Sequence, residues 1–429
     1  MELLRPSNLL IPVCLSLTLV ACGGGGSASS NNSQTSEPAP ELPTVNGVMK
    51  SKAASGFVYP TNTLSMYDSK ICRNYDRYYE TDKVMVFGGS NTSTELFERF
   101  ASWTEFGLTD LQQRMGTDLL ALQQRYPFSL ETYLVATTFF QEHASTFEGK
   151  QLYLQITGEE LTTDYDDLID ETLQKKYLYQ KVRHLDKSQM ANLITMVKEQ
   201  LDPSSLSDSF GQSLPEKPIV CLNNGFNNTN YWATGNLVGY TARTDDDRPT
   251  SAYIVTHELM HTVQHQYVTN LSQVDRWFLE GSAEHAMGHI PDPTTHNNRY
   301  PLDDKWESTL GSIAYSHYGI AVGYLEATSP GFIINVLKYI ADNGVYHVVT
   351  HKQNSEYNYD VLNQPNPDFR EAFNAYAKRP DGSALTYSDF ESEYHELIDQ
   401  WIALQPQVES RSINTTSNRV SYDSFDLKR

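Results

Sequence analysis

Apolar positions along the 429-residue chain change period several times, and each change marks an element. Lys83-Val84-Met85-Val86-Phe87 is a short apolar run that stops at Gly88-Gly89, which predicts a strand. From Thr94 to Met115 the spacing becomes helical, with Leu96, Phe97, Phe100, Phe106, Leu108, Leu111 and Met115 supplying most of one stripe. A largely helical stretch covers 117–202, in pieces over 118–124, 130–142, 165–184 and 187–201. Lys217 to Leu222 reads as a short apolar strand ahead of an Asn-rich loop over 223–230, and Trp232 to Ala242 as a further strand. A helix then begins near Pro249, where Thr250 or Ser251 can cap it, and continues through Ile254, Val255, Leu259 and Val263. Helical patterns return over 332–340 and 369–401, broken by the turn Pro380-Asp381-Gly382. No internal repeat is visible. The predicted fold class is α+β: a small mixed sheet packed on the helix that starts near Ser251, followed by a mainly helical C-terminal part.

Composition narrows the partners. The 39% apolar content suits a folded body. Thirty-two basic against 53 acidic residues give a net charge of -21, which repels phosphate backbones and excludes nucleic acid as the expected partner.

At the amino terminus Arg5 precedes the apolar run Leu9 to Ala21, too short to span a bilayer and suited to an export signal. Its end, Leu19-Val20-Ala21-Cys22, resembles the lipobox of bacterial lipoproteins. That resemblance implies acylation of Cys22, a lipid anchor to the membrane and removal of residues 1–21. Glycine rather than aspartate follows Cys22, which in Gram-negative lipoproteins implies the outer membrane, facing the periplasm or the cell surface. Residues 22–45 are rich in Gly, Ser, Asn and Pro and read as a flexible tether. An exported chain allows a bridge between Cys72 and Cys221, or two buried free thiols.

The densest chemistry lies in Thr256-His257-Glu258-Leu259-Met260-His261. On a helix, residues four apart stand one turn above each other, so His257 and His261 present both imidazoles to one point. Glu258, next to the first histidine, is placed to act as a general base rather than a ligand. Nineteen positions after His261, Trp277-Phe278-Leu279-Glu280-Gly281-Ser282-Ala283-Glu284 brings a further carboxylate, Glu280, on an expected second helix. Two histidines and one glutamate occupy three tetrahedral positions of a single zinc ion and leave the fourth to water. Together these segments resemble the gluzincin zinc metallopeptidases. The Trp-Phe-Leu-Glu-Gly-Ser-Ala stretch is similar to the signature of the aminopeptidase N family and its compact relatives. The resemblance implies Glu280 as third ligand and Glu284 as the carboxylate that orients a liganding imidazole. His265 reads as a neighbour of the site or a surface residue, and His285 as directed elsewhere. The family's oxyanion donor is a tyrosine on a later helix; a gapless match puts Tyr315 there and the family glycine on Tyr318, leaving Tyr318 and His317 as alternatives.

The implied activity is zinc-dependent hydrolysis of a peptide or protein substrate, with Glu258 moving the proton. No Gly-x-Met-Glu-Asn segment is present to hold a free substrate amine, which favours endopeptidase action. The strand ending at Ala242 is a candidate to pair with extended substrate. Two other readings use the same residues: a zinc hydrolase of non-peptide amides, and a lipid-anchored zinc-containing binding or assembly protein without turnover. The 27 tyrosines would suit the latter, whereas an intact Glu258 does not. No Gly-x-Ser-x-Gly elbow points to a serine hydrolase. The expected organisation is thus a signal peptide over 1–21, a tether over 22–45, the N-terminal part of the catalytic body over 46–116, a helical insertion or subdomain over 117–214, a zinc peptidase-like region over 215–405 and a polar tail over 406–429.

Overall fold

The computed structural model describes residues 39–55, 75–125, 147–160, 184–203, 213–223, 232–233, 239–268, 274–288, 312–343 and 367–404, with isolated positions between them. The strands are β1 (Val48–Ser51), β2 (Arg77–Glu80), β3 (Met85–Gly88), β4 (Ile219–Asn223), β5 (Trp232–Ala233) and β6 (Gly239–Arg243). They form one mixed sheet in the order β1-β2-β3-β4-β6-β5. The pairs β1/β2, β2/β3 and β5/β6 are antiparallel, whereas β3/β4 and β4/β6 are parallel. The helices are α1 (Thr94–Met115), α2 (Leu119–Arg125), α3 (Phe147–Thr157), α4 (Lys187–Gln200), α5 (Ser251–Tyr267), α6 (Arg276–Ala286), α7 (Ser312–Thr328), α8 (Phe332–Asn343), α9 (Pro367–Tyr376) and α10 (Tyr387–Leu404).

The two-residue period of the strands separates two cores. Val84, Val86, Val220, Leu222, Tyr240 and Ala242 face the main core, which they share with α1 and with α5 to α10. Met85, Phe87, Ile219 and Cys221 face the other way and pack with Cys72 and Tyr78. Burial on both faces explains why β3 and β4 read as unbroken apolar runs rather than alternating ones. A third cluster, built on Phe139, Phe140, Tyr153, Met190, Leu193 and Val197, belongs to the helical stretch between α2 and β4.

Helix α1 starts where the Ser93 hydroxyl accepts the Leu96 N–H, and α4 starts at a reciprocal cap between Asp186 and Gln189. The face of α1 that is fully buried runs through Phe97, Phe100, Thr104, Gly107 and Leu111, while Leu96, Phe106, Leu108 and Met115 sit at its margins. Helix α3 has no counterpart in the expected pieces. The expected helices over 130–142 and 165–184 lie largely outside the described residues, as do the Asn-rich loop, Cys22 with the whole signal segment, and the polar tail.

Three expectations change. The strand expected over Trp232 to Ala242 is two antiparallel strands, with Trp232 opposite Thr241 and Ala233 opposite Tyr240. As a result β6 is hydrogen-bonded on both sides and has no free edge for substrate at Tyr240 and Thr241. Third, Thr250 occupies the N-cap position of α5 without a side-chain cap; instead Asp246 accepts the Ser251 hydroxyl at 2.6 Å and the Arg248 N–H at 3.1 Å, fixing the turn into the helix.

Among the described residues no single helix is long and apolar enough to cross a membrane. The apolar pair α7 and α8 is bent by 91°, and its large side chains are buried in the main core.

Cys72 and Cys221 form a disulfide, with Cα atoms 5.1 Å apart and a sequence separation of 149. It ties the lead-in segment to the outer face of β4. Because so long a loop is closed, replacing both cysteines by serine is expected to cost about 2–5 kcal/mol in a denaturant titration, against near-neutrality if the bridge contributes nothing.

Candidate metal centre

Helix α5 is buried along almost its whole length, packed by α1, α6, α8, β5 and β6. Gly107 of α1 lies where a methyl group would sit 2.8 Å from Leu259 Cδ1 and 3.2 Å from Thr256 Oγ1, so glycine allows α1 to approach the turn that carries His257. The neighbouring helix α6 is held from behind by aromatic packing. Trp277 lies against Phe369, Tyr387 and Phe390, and Phe278 against Phe332 and Phe369, with ring centroids 5.1–6.5 Å apart. Such pairs contribute roughly 0.5–1.5 kcal/mol each beyond burial. At the N-cap of α6, half-buried Asp275 accepts hydrogen bonds from the Tyr387 hydroxyl and the Trp277 indole N–H. Helix α7 crosses α6 at Gly281, where any side chain would meet the Tyr318 backbone carbonyl and Val322. Gly281 therefore sets the closeness of the two helices at the residue after Glu280.

This scaffold brings His257, His261 and Glu280 together. Their exposures are only 6–7%. His257 Nε2 and His261 Nε2 are 3.2 Å apart, and Glu280 Oε2 is 3.5 Å from the first and 3.3 Å from the second. Four ligands held tetrahedrally at about 2.0–2.1 Å from zinc stand ~3.3 Å from one another, so the observed triangle has the edge length that such an ion requires. The donor set of two imidazoles and one carboxylate also suits a divalent metal, and these three residues could hold one ion.

The surroundings supply charge and orientation. Burial alone would raise the Glu280 carboxyl, but the charge of His261 and the hydrogen bonds of both histidines outweigh it and hold it well below the ordinary carboxylate range. The other oxygen of Glu280 lies 3.7 Å from the Arg276 guanidinium, one turn back on α6. Glu284 Oε1 is 3.3 Å from His257 Nδ1, on the far side of the ring from Glu280. Glu258 is buried on α5 beside His257, and its charge reaches Tyr240 on β6. The Tyr240 phenol is raised above its usual value, first by burial and further by Glu258, against a hydrogen bond with Thr104.

Tyr315 on α7 lies with its ring centroid 6.3 Å from that of His257. Tyr318 is buried in the main core, with its backbone carbonyl turned to Gly281, and His317 is buried as well. His265 does not join the converging donors; among the described residues its buried Nδ1 meets no hydrogen-bond partner, and burial, then the charge of His261, lowers its pKa to about 3. His285 is lowered to about 4 by burial and by Arg114, which places it beside the end of α1 rather than at the donor triangle.

Two further side chains meet at the centre: Gln264, which sequence reasoning did not single out, and Ser282, which it read only as a small residue that lets two helices come close. Gln264 contacts His261, and Ser282 contacts Gln264. Gln264 stands three residues past His261, on the same helix face, in a helix otherwise closed to solvent. A polar side chain at that spacing is the signal that marks it. Comparison of the sequence with protein-family models, with curated proteins and with solved structures finds no match.

Proposed function

We propose that this protein is a zinc-dependent peptidase of the gluzincin type, acting on internal peptide bonds. The observation that carries the reading is the triangle of His257 Nε2, His261 Nε2 and Glu280 Oε2, with edges of 3.2–3.5 Å, one residue away from a buried glutamate. Zinc held there would polarise a scissile carbonyl and lower the pKa of a water molecule. The remaining work falls to the chain. Glu258 takes a proton from the attacking water and delivers it to the departing amine nitrogen, and no covalent intermediate with the protein is needed. Glu258 is 2% exposed, so the proton is handed over away from bulk water. Tyr315, whose ring centroid lies 6.3 Å from that of His257, would donate its hydroxyl to the oxyanion, while buried Tyr318 serves packing. Glu284 would hold His257 by its second nitrogen.

Endopeptidase action is supported by the lack of the segment with which aminopeptidase N enzymes grip a free amine. Substrate pairing, if it uses the sheet, falls to β5 rather than to the doubly paired β6. Anchoring through acylated Cys22, with residues 22–45 as a leash, would set the catalytic body off the outer membrane.

Glu258→Gln is expected to retain wild-type zinc content while losing cleavage of internally quenched peptides by about 10²–10⁴-fold. Equal cleavage by the two proteins at equal zinc would remove the peptidase reading, and preferred turnover of aminoacyl reporters would replace endopeptidase with exopeptidase action. For the anchor, Cys22→Ser is expected to move the protein from the membrane to the soluble fraction of the cell envelope; an unchanged distribution would contradict acylation.

A further inference from the structure

Gln264 is fully buried and all of its polar atoms are engaged. Its Oε1 lies 2.8 Å from His261 Nδ1. Its Nε2 donates to the Leu279 carbonyl at 2.8 Å and to Ser282 Oγ at 2.6 Å. The Ser282 hydroxyl in turn donates to the same Leu279 carbonyl at 2.9 Å.

The chemistry of these atoms fixes their direction. A backbone carbonyl accepts and never donates, so the amide nitrogen of Gln264 has to face Leu279 and the amide oxygen has to face His261. That oxygen also only accepts, so His261 Nδ1 must carry the proton. In a neutral imidazole the other nitrogen, Nε2, then presents its lone pair. Nε2 is the atom that meets His257 Nε2 and Glu280 Oε2.

We infer that Gln264 is a positioning residue that locks His261 in its metal-ligating tautomer and takes its own orientation from the turn of α6 that carries Glu280. The metal half of this inference rests on the zinc reading above, whereas the hydrogen-bond relay belongs to the metal-free protein as well. Leu279 and Ser282 flank Glu280, so one amide links the second imidazole on α5 to the carboxylate ligand's own helical turn. The two imidazoles are thus oriented by unlike groups: His257 by the Glu284 carboxylate, His261 by a neutral amide.

A neutral orienter has an electrostatic purpose. Glu258, Glu280 and Glu284 already place three acidic side chains in the buried centre, with Arg276 3.7 Å from Glu280. A further carboxylate in place of Gln264 would add negative charge in the metal-free protein.

The test compares zinc dissociation constants of wild type, Gln264→Met and Gln264→Glu by competition with a chromophoric chelator. It adds the imidazole ¹⁵N spectrum of the metal-free wild type, with His261 assigned by its loss in His261→Gln. Gln264→Met, which keeps the volume and removes the acceptor, is expected to weaken zinc binding about 10–100-fold. Gln264→Glu keeps an acceptor on Nδ1 and is expected to hold zinc at least as tightly as wild type while melting at a lower temperature without metal. Metal-free His261 is expected to carry its proton on Nδ1. A zinc affinity for Gln264→Met within about threefold of wild type would show a purely structural role. So would an Nε2–H tautomer in the metal-free wild type. Should Gln264→Met fail to fold, the tautomer and Gln264→Glu decide, and a Glu variant that loses zinc overturns the inference. A wild type that takes up no zinc yet shows the Nδ1–H tautomer sinks the metal reading and supports the relay.

Discussion

Three donor atoms from two helices stand within 3.5 Å of one another, almost closed off from solvent, and the elements around them serve to hold that triangle. Gathering a carboxylate and two imidazoles in a buried place is costly unless each polar atom has a partner and the net charge is met. The chain meets this in layers. Gly107 and Gly281 let α1 and α7 close on α5 and α6, and the aromatic block around Trp277 and Phe278 fixes α6 from behind. Glu284, Gln264 and Arg276 then orient or neutralise the groups that converge.

The sheet sets where α5 begins. Parallel pairing of β4 with β6 delivers the chain at Arg243, from which the Asp246 turn leads into Ser251. Four turns of helix then carry His257 and His261 past the buried face of α1. The crossover from β3 to β4 contains α1 through α4, so the helical stretch with its own apolar cluster is inserted between two strands that are neighbours in the sheet. Such a connection explains how a long helical segment can be present without disturbing the strands on either side of it.

Much of the centre was legible in the sequence because its geometry is local. The four-residue spacing of His257 and His261 needs only a helix, and Glu280 follows on the next one. The limits of α1 were equally legible, since its apolar stripe runs unbroken from Thr94 to Met115. What escaped depends on contacts between distant segments. Strands β1 and β2 have short, mixed sequences with no apolar run, and they are recognisable only by pairing, β1 on β2 and β2 on β3. The β5–β6 pair reads as one strand because β5 is only two residues long, too short to stand out as an element of its own. Gln264 carries no distinctive motif, and Ser282 stands in the Glu280 stretch only as a small residue; their hydrogen bonds arise only when α6 lies across α5 and a backbone carbonyl dictates which way an amide points. Sequence gave two outcomes for Cys72 and Cys221, and the contact between the lead-in segment and β4 decides in favour of the bridge.

Anomalous diffraction at the zinc edge from crystals of the protein lacking residues 1–22, grown with one equivalent of zinc, tests the central claim most directly. The account predicts a single strong peak at the triangle, with two imidazole nitrogens and one carboxylate oxygen at about 2.0–2.2 Å. A folded protein with no peak there, or a zinc ion bound elsewhere while Glu280 faces away from both imidazoles, would contradict it.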